Sequence, residues 1–349
     1  MEDSSGSEFN ENDTGIRARV DVTRRLSEKV RLGVGVAGRC HVSDCNLEFV
    51  HQPEMPEPTG LTRAQVTFDE LYIHWFREGT NRFDIIMGRL QTRFVLRGGV
   101  YAKSLDRNDS NNTRVTWTDG IHATLKGSKG WRSGFVLQRN SCDGTGSIRH
   151  GPLDFGDAGA SSSYFLGFEN TRRWGYVVQR SLDISYLPKS LLKDNAADKR
   201  RVDYWGIVGR LAVGWPQESE GFRFRGGLEV GYAPETPTNA GVGLGGIGDT
   251  EGFAWNVVLD AMDFLPGHSF GINYGRTGKG WLLSPQYFPD SVLFELRHHW
   301  KSVREPMVET RVRWQEAQHR FTDAMQRGSE FDFYIRATWE FGRADTRGL

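Results

Sequence analysis

The chain has 349 residues, with 44 Lys and Arg against 44 Asp and Glu, so its formal net charge is zero. No apolar run approaches the ~18–20 residues of a membrane-spanning helix, which excludes helical membrane proteins, and a balanced charge argues against a nucleic-acid partner. Three cysteines, Cys40, Cys45 and Cys142, cannot staple a chain of this length. The mean hydropathy of −0.53 resembles that of a soluble protein, but an average cannot see a period.

In chain order, Ile16, Ala18, Val20 and Val22 oppose Arg17, Arg19, Asp21 and Thr23. Val30, Leu32, Val34 and Val36 then alternate with Arg31, Gly33 and Gly35. Across 63–76 the apolar parity changes between Phe68 and Leu71, which predicts a bulge. Residues 82–90 are apolar on both faces. Phe222, Phe224, Gly226, Leu228, Val230 and Tyr232 oppose Arg223, Arg225 and Glu229. Trp255, Val257, Leu259 and Ala261 oppose Asn256 and Asp260, and Val308, Thr310, Val312 and Trp314 oppose Glu309, Arg311 and Arg313. Residues 331–341 alternate without an error, with Phe331, Phe333, Ile335, Ala337, Trp339 and Phe341 against Asp332, Tyr334, Arg336, Thr338 and Glu340. Period two over so many segments, with no sustained helical period, predicts an all-β chain.

The links alternate in length. Short turns at 25–29, 77–81, 127–130, 171–174, 216–221, 265–267 and 303–306 follow every second strand. Long polar loops lie between them, at 41–61, 91–118, 140–160, 189–203, 233–251, 275–290 and 315–329. Short turns at one end and long loops at the other are the plan of a transmembrane antiparallel β-barrel. Trp75, Trp131, Trp205, Trp215, Tyr232, Trp300, Trp314, Trp339 and Phe341 fall near strand ends, where amphipathic rings favour a membrane interface. Ten residues tilted by ~45° rise roughly 23 Å, the height of an outer-membrane apolar band. A soluble sandwich has no reason to finish its apolar face this way.

Fifteen strands are visible, and bacterial single-chain barrels have even numbers. The expectation is therefore a sixteen-stranded barrel over 15–341 whose first strand is missing. Residues 1–14 would be an outer loop or a truncated N-terminus, and 342–349 a C-terminal tail. No basic-then-apolar secretion signal precedes the pattern, although an exported precursor needs one.

By strand parity the inner wall presents Arg17, Arg19, Arg31, Arg132, Arg210, Arg223, Arg225, Arg297, Arg311, Arg313 and Arg336, opposed by Asp21, Asp183, Glu229, Asp260, Glu295, Glu309, Asp332 and Glu340. Eleven basic groups against eight acidic predict a mild anion preference, unless the pairs neutralise each other across strands.

The hairpin GIRARVDVTRRLSEKVRLGVGVAG, then FDELYIHWF, DIIMGRL and TWTDGIHATL, run from Gly15 to Leu125. On these segments the chain resembles the Gram-negative outer-membrane porins, and more narrowly a porin family related to the phosphate-selective type. In that family the last residue is usually a Phe; here 342–349 follow Phe341. The resemblance implies an outer-membrane location and a water-filled channel for small hydrophilic solutes. Outer-membrane lipid, the solutes and a homotrimer are the partners it brings into view. It also implies that the third outer loop, 91–118, folds inward as the constriction. The candidates there are Arg93, Arg97, Lys103, Asp106, Arg107, Asp109, Arg114 and the adjoining Asp119.

Other motifs fall away. Gly241, Gly243 and Gly246 form a GxGxxG with no helix after it. Asp106, Asn108, Ser110 and Asn112 begin like a calcium loop, but position six is Asn111 and position twelve is Trp117. Cys40 and Cys45 are close enough in sequence for a disulfide. His298 and His299 face opposite sides of one strand, so no metal site is expected, and no cofactor. No nucleophile and base converge as a barrel lipase or protease would require, so an enzyme is not expected. A non-conducting envelope scaffold is the other alternative, and bilayer conductance separates the three.

Overall fold

The computed structural model describes residues 15–41, 45–49, 65–77, 79, 82–90, 105, 118–139, 152–155, 162–193, 200–216, 221–244, 247–284, 287–301, 306–319 and 328–339. Sixteen strands form one sheet. They are β1 (Gly15–Arg25), β2 (Val30–His41), β3 (Glu48–Phe49), β4 (Gln65–Arg77), β5 (Arg82–Leu90), β6 (Thr118–Lys126), β7 (Trp131–Arg139), β8 (Ser162–Asn170), β9 (Val177–Leu192), β10 (Arg201–Trp215), β11 (Arg223–Tyr232), β12 (Phe253–Leu265), β13 (His268–Thr277), β14 (Ser291–Lys301), β15 (Met307–Ala317) and β16 (Ser329–Thr338).

Fifteen of these follow one another as antiparallel neighbours, while the two-residue β3 pairs in parallel with β4. The last strand is shorter than the alternation predicts: β16 ends at Thr338, and Glu340 and Phe341 lie outside the described residues. The bulge expected between Phe68 and Leu71 is present as a register shift, with Gly35 facing Glu70 and Val36 facing Phe68. An odd number of antiparallel neighbours leaves β1 and β16, the two ends of the sheet, running the same way. No pairing joins them among the described residues. Antiparallel closure would need one further strand between them, as the even-number rule anticipates.

The period of two becomes two faces. On β11 Leu228 is 42% exposed and Val230 38%, while Glu229 between them is 0% exposed. On β13 the exposed Phe270, Ile272 and Tyr274 alternate with the buried Ser269, Gly271, Asn273 and Gly275. Large exposed apolar side chains continue around the sheet, far beyond the patch a soluble monomer tolerates. The polar face is the inner one, because the segments at the long-loop end fold down against it. Cys40 and Cys45 are bonded at that end, with Cα atoms 4.9 Å apart.

Candidate functional site: the inner face

The inner face is filled differently on its two sides. On β9 to β13 it is covered by the loop from Gly278 to Asp290. In this loop Trp281, Leu282, Leu283 and Tyr287 are almost wholly buried. They pack with Leu153, Phe155, Leu187, Leu191, Tyr204 and Val208 into one apolar cluster. Glycine makes the room. A Cβ at position 231 would lie 2.8 Å from the Trp281 ring, and one at 206 would overlap Leu283. Such proximity of backbone to side chain is available only without a Cβ.

Hydrogen bonds pin this loop. Tyr204 Oη donates to the Gly280 carbonyl at 2.9 Å and accepts from the Leu282 amide at 2.9 Å. Tyr287 Oη donates to Asn256 Oδ1 at 2.6 Å, and burial raises its pKa well above the ordinary tyrosine value. The phenol therefore stays neutral and remains a donor. At the exit of the loop, His319 is hydrogen-bonded to Asp290 through both its ring (2.6 Å) and its amide (3.1 Å).

The same loop grips a second one. Trp281 Nε1 donates to the Leu105 carbonyl at 3.1 Å, and the Leu105 amide donates to Glu229 Oε2 at 2.8 Å. Glu229 is held in turn by Arg210, which also pairs with Asp183. Leu105 lies in 91–118 and is 0% exposed. Arg93, Arg97, Lys103, Asp106, Arg107, Asp109 and Arg114 lie outside the described residues. Asp119 is on β6, bound by Arg89 through two bonds of 2.8 and 3.0 Å.

On β14 to β16 the face is charged. Glu309 sits among His299 (2.7 Å), Arg336 (2.9 Å), Arg297 (3.7 Å) and the Tyr334 hydroxyl. Arg297 also pairs with Glu295 at 2.8 Å, Arg311 with Asp332, and Arg313 donates to Gln315 at 2.6 Å. Around the remaining wall, Arg19 meets Asp69 at 2.9 Å, Arg223 meets Asp263 at 2.8 Å, and Arg132 stands 4.0 Å from Glu169. The Arg31 guanidinium stacks 4.6 Å above the Phe76 ring. Arg225 is half-buried beside Asp260 in the register of β11 with β12, and the Arg17 side chain lies outside the described residues.

No family model matches the chain, and no curated protein matches it in sequence. Solved structures do match. OpdL of Pseudomonas aeruginosa superposes with a TM-score of 0.54 at 13% identity, covering 93% of this chain and 81% of that one. A BenF-like porin from Pseudomonas fluorescens Pf-5 gives 0.52 at 15% identity, over 91% and 79%. OccAB4 of Acinetobacter baumannii gives 0.54 at 11%, over 95% and 82%. This is a porin fold.

Within the porin fold, two sequence expectations need correcting. The long loops were expected to be wet, yet 278–290 is an apolar filling of the inner face. The available signal was the run GKGWLLSPQYF, too apolar for a solvated loop. The eleven-to-eight surplus of basic groups also overstates the free charge, because most of the arginines that parity placed inside have a carboxylate neighbour. His298 and His299 do part as expected: His299 binds Glu309 inside, while His298 meets His268 on the outer face at 3.0 Å.

Proposed function

We propose that the chain is a porin of the Gram-negative outer membrane, a channel for passive diffusion of small hydrophilic solutes, and not an enzyme. One observation carries the reading: apolar residues such as Leu228 and Val230 face outward while Glu229 is enclosed, and this repeats from strand to strand. A sheet of this kind is stable only with lipid outside and polar groups inside. The short turns then face the periplasm and the long loops the exterior. Outer-membrane lipid and the solutes are its partners.

The finer reading is a mild preference for anions, in keeping with the likeness to phosphate-selective-type porins in the first hairpins. Support comes from the periplasmic mouth, where Arg31, Lys126 and Arg132 project inward and Arg132 stands 4.0 Å from Glu169. The loops at 91–118 and 278–290 together would form the narrow zone, since Trp281 holds Leu105. Planar-bilayer recording under a salt gradient tests both levels. Stable ohmic openings with a reversal potential of anionic sign are expected. Silent bilayers would overturn the channel, and a cationic reversal potential the selectivity. Conductance steps in threes would accompany a homotrimer.

A further inference from the structure

The outer face carries a dent at the short-turn end. Gly226 points outward on β11, and a Cβ there would lie 3.2 Å from Val213 and 3.5 Å from Leu259. Without it a groove of about 620 Å³ crosses four strands, lined by Tyr176, Trp215, Phe224, Leu259 and Phe270. Its lining is apolar side chains, closed at the short-turn end by aromatics: Trp215 is 52% and Tyr176 56% exposed.

Tyr176 belongs to the turn between β8 and β9, and that turn is basic. From Asn170 to Leu182 the sequence NTRRWGYVVQRSL has three arginines and no acid. Arg173 reaches the groove wall, donating from Nη2 to the Gly214 carbonyl at 3.1 Å and from Nε to that of Gly175 at 3.3 Å. Arg180 is fixed by Asn170 Oδ1 at 3.1 Å, with its guanidinium 6.0 Å from the Trp174 ring. The Arg172 amide donates to the same oxygen at 3.0 Å, and the Trp174 indole is 74% exposed.

We propose that this groove and turn form a site for an anionic phospholipid of the inner leaflet. One acyl chain lies over Gly226, and the phosphate meets the guanidinium groups of Arg172, Arg173 and Arg180. The match is of two chemistries side by side: an apolar slot facing the bilayer core, and arginines with exposed indole and phenol rings at headgroup level. The proposal rests on the membrane-barrel reading above.

The test is native mass spectrometry of the full chain released from detergent micelles containing phosphatidylglycerol or phosphatidylcholine, with bilayer conductance recorded on the same preparation. Wild type is expected to retain one phosphatidylglycerol in preference to phosphatidylcholine. The double variant Arg172→Gln/Arg173→Gln should lose that preference about thirtyfold, the scale of two surface arginines. Gly226→Leu should lower retention of both lipids by filling the slot. Both variants should keep heat-modifiable gel mobility and wild-type conductance. Variants that retain phosphatidylglycerol as wild type does would overturn the site. So would a homo-oligomer that covers Gly226, shown by cross-linking from that position. Full conductance with no retained lipid overturns the site alone, whereas failure of wild type to insert overturns the barrel reading with it.

Discussion

The two sides of the inner face make an instructive pair. Both are built from strands of the same period, and both enclose their inward side chains. On β9 to β13 the space is filled by Trp281, Leu283 and Tyr287, which lie over buried polar groups such as Asn256 and the cluster of Arg210, Asp183 and Glu229. On β14 to β16 three arginines, Arg297, Arg336 and Arg311, meet Glu295, Glu309 and Asp332. An apolar filling excludes water and fixes a shape; a charged wall fixes a potential. In the channel proposed above, one side would set how large a solute can be, and the other how it must be charged.

That division can be broken experimentally. The largest effect is expected from Trp281→Ala, which removes roughly 3–5 kcal/mol of packing and the bond to Leu105. Conductance and the size limit in liposome swelling should both rise, with ion selectivity little changed; an unchanged size limit would deny the filling its role. Next comes Leu228→Arg, one residue from Glu229 but facing lipid. It should cost ~2–4 kcal/mol in urea unfolding from vesicles, and a neutral result would put water on that face. Glu309→Gln removes the carboxylate shared by His299, Arg297 and Arg336, so the reversal potential should move towards anion permeation with no change in size limit. Arg132→Gln is the smallest. Its carboxylate is 4.0 Å away and its side chain 40% exposed, so stability should change by less than about 0.5 kcal/mol.

Strand positions and the direction each side chain faces were legible because period two is a local property, readable from Phe331 to Trp339 without any partner. Links were legible by length. What covers the inner face was not, because it depends on distant pairings: Leu105 meets Glu229 and Trp281 across 124 and 176 residues. No window of sequence contains that contact. The glycines at 206 and 231 read as gaps in an alternation until the ring and the methyl groups that occupy them are seen. Charge was legible in number but not in effect, since whether Arg210 is free or clasped depends on β9 and β11.

The shared direction of β1 and β16 has a consequence for bore. Strands lie ~4.8 Å apart, and at ~45° tilt each takes up roughly 7 Å of circumference, or about 2 Å of diameter. If the two end strands met directly, side by side and parallel, the ring would have fifteen members. If another strand came between them it would have sixteen, and be wider by nearly the width of a water molecule. In the proposed channel the seam therefore acts on every solute at once.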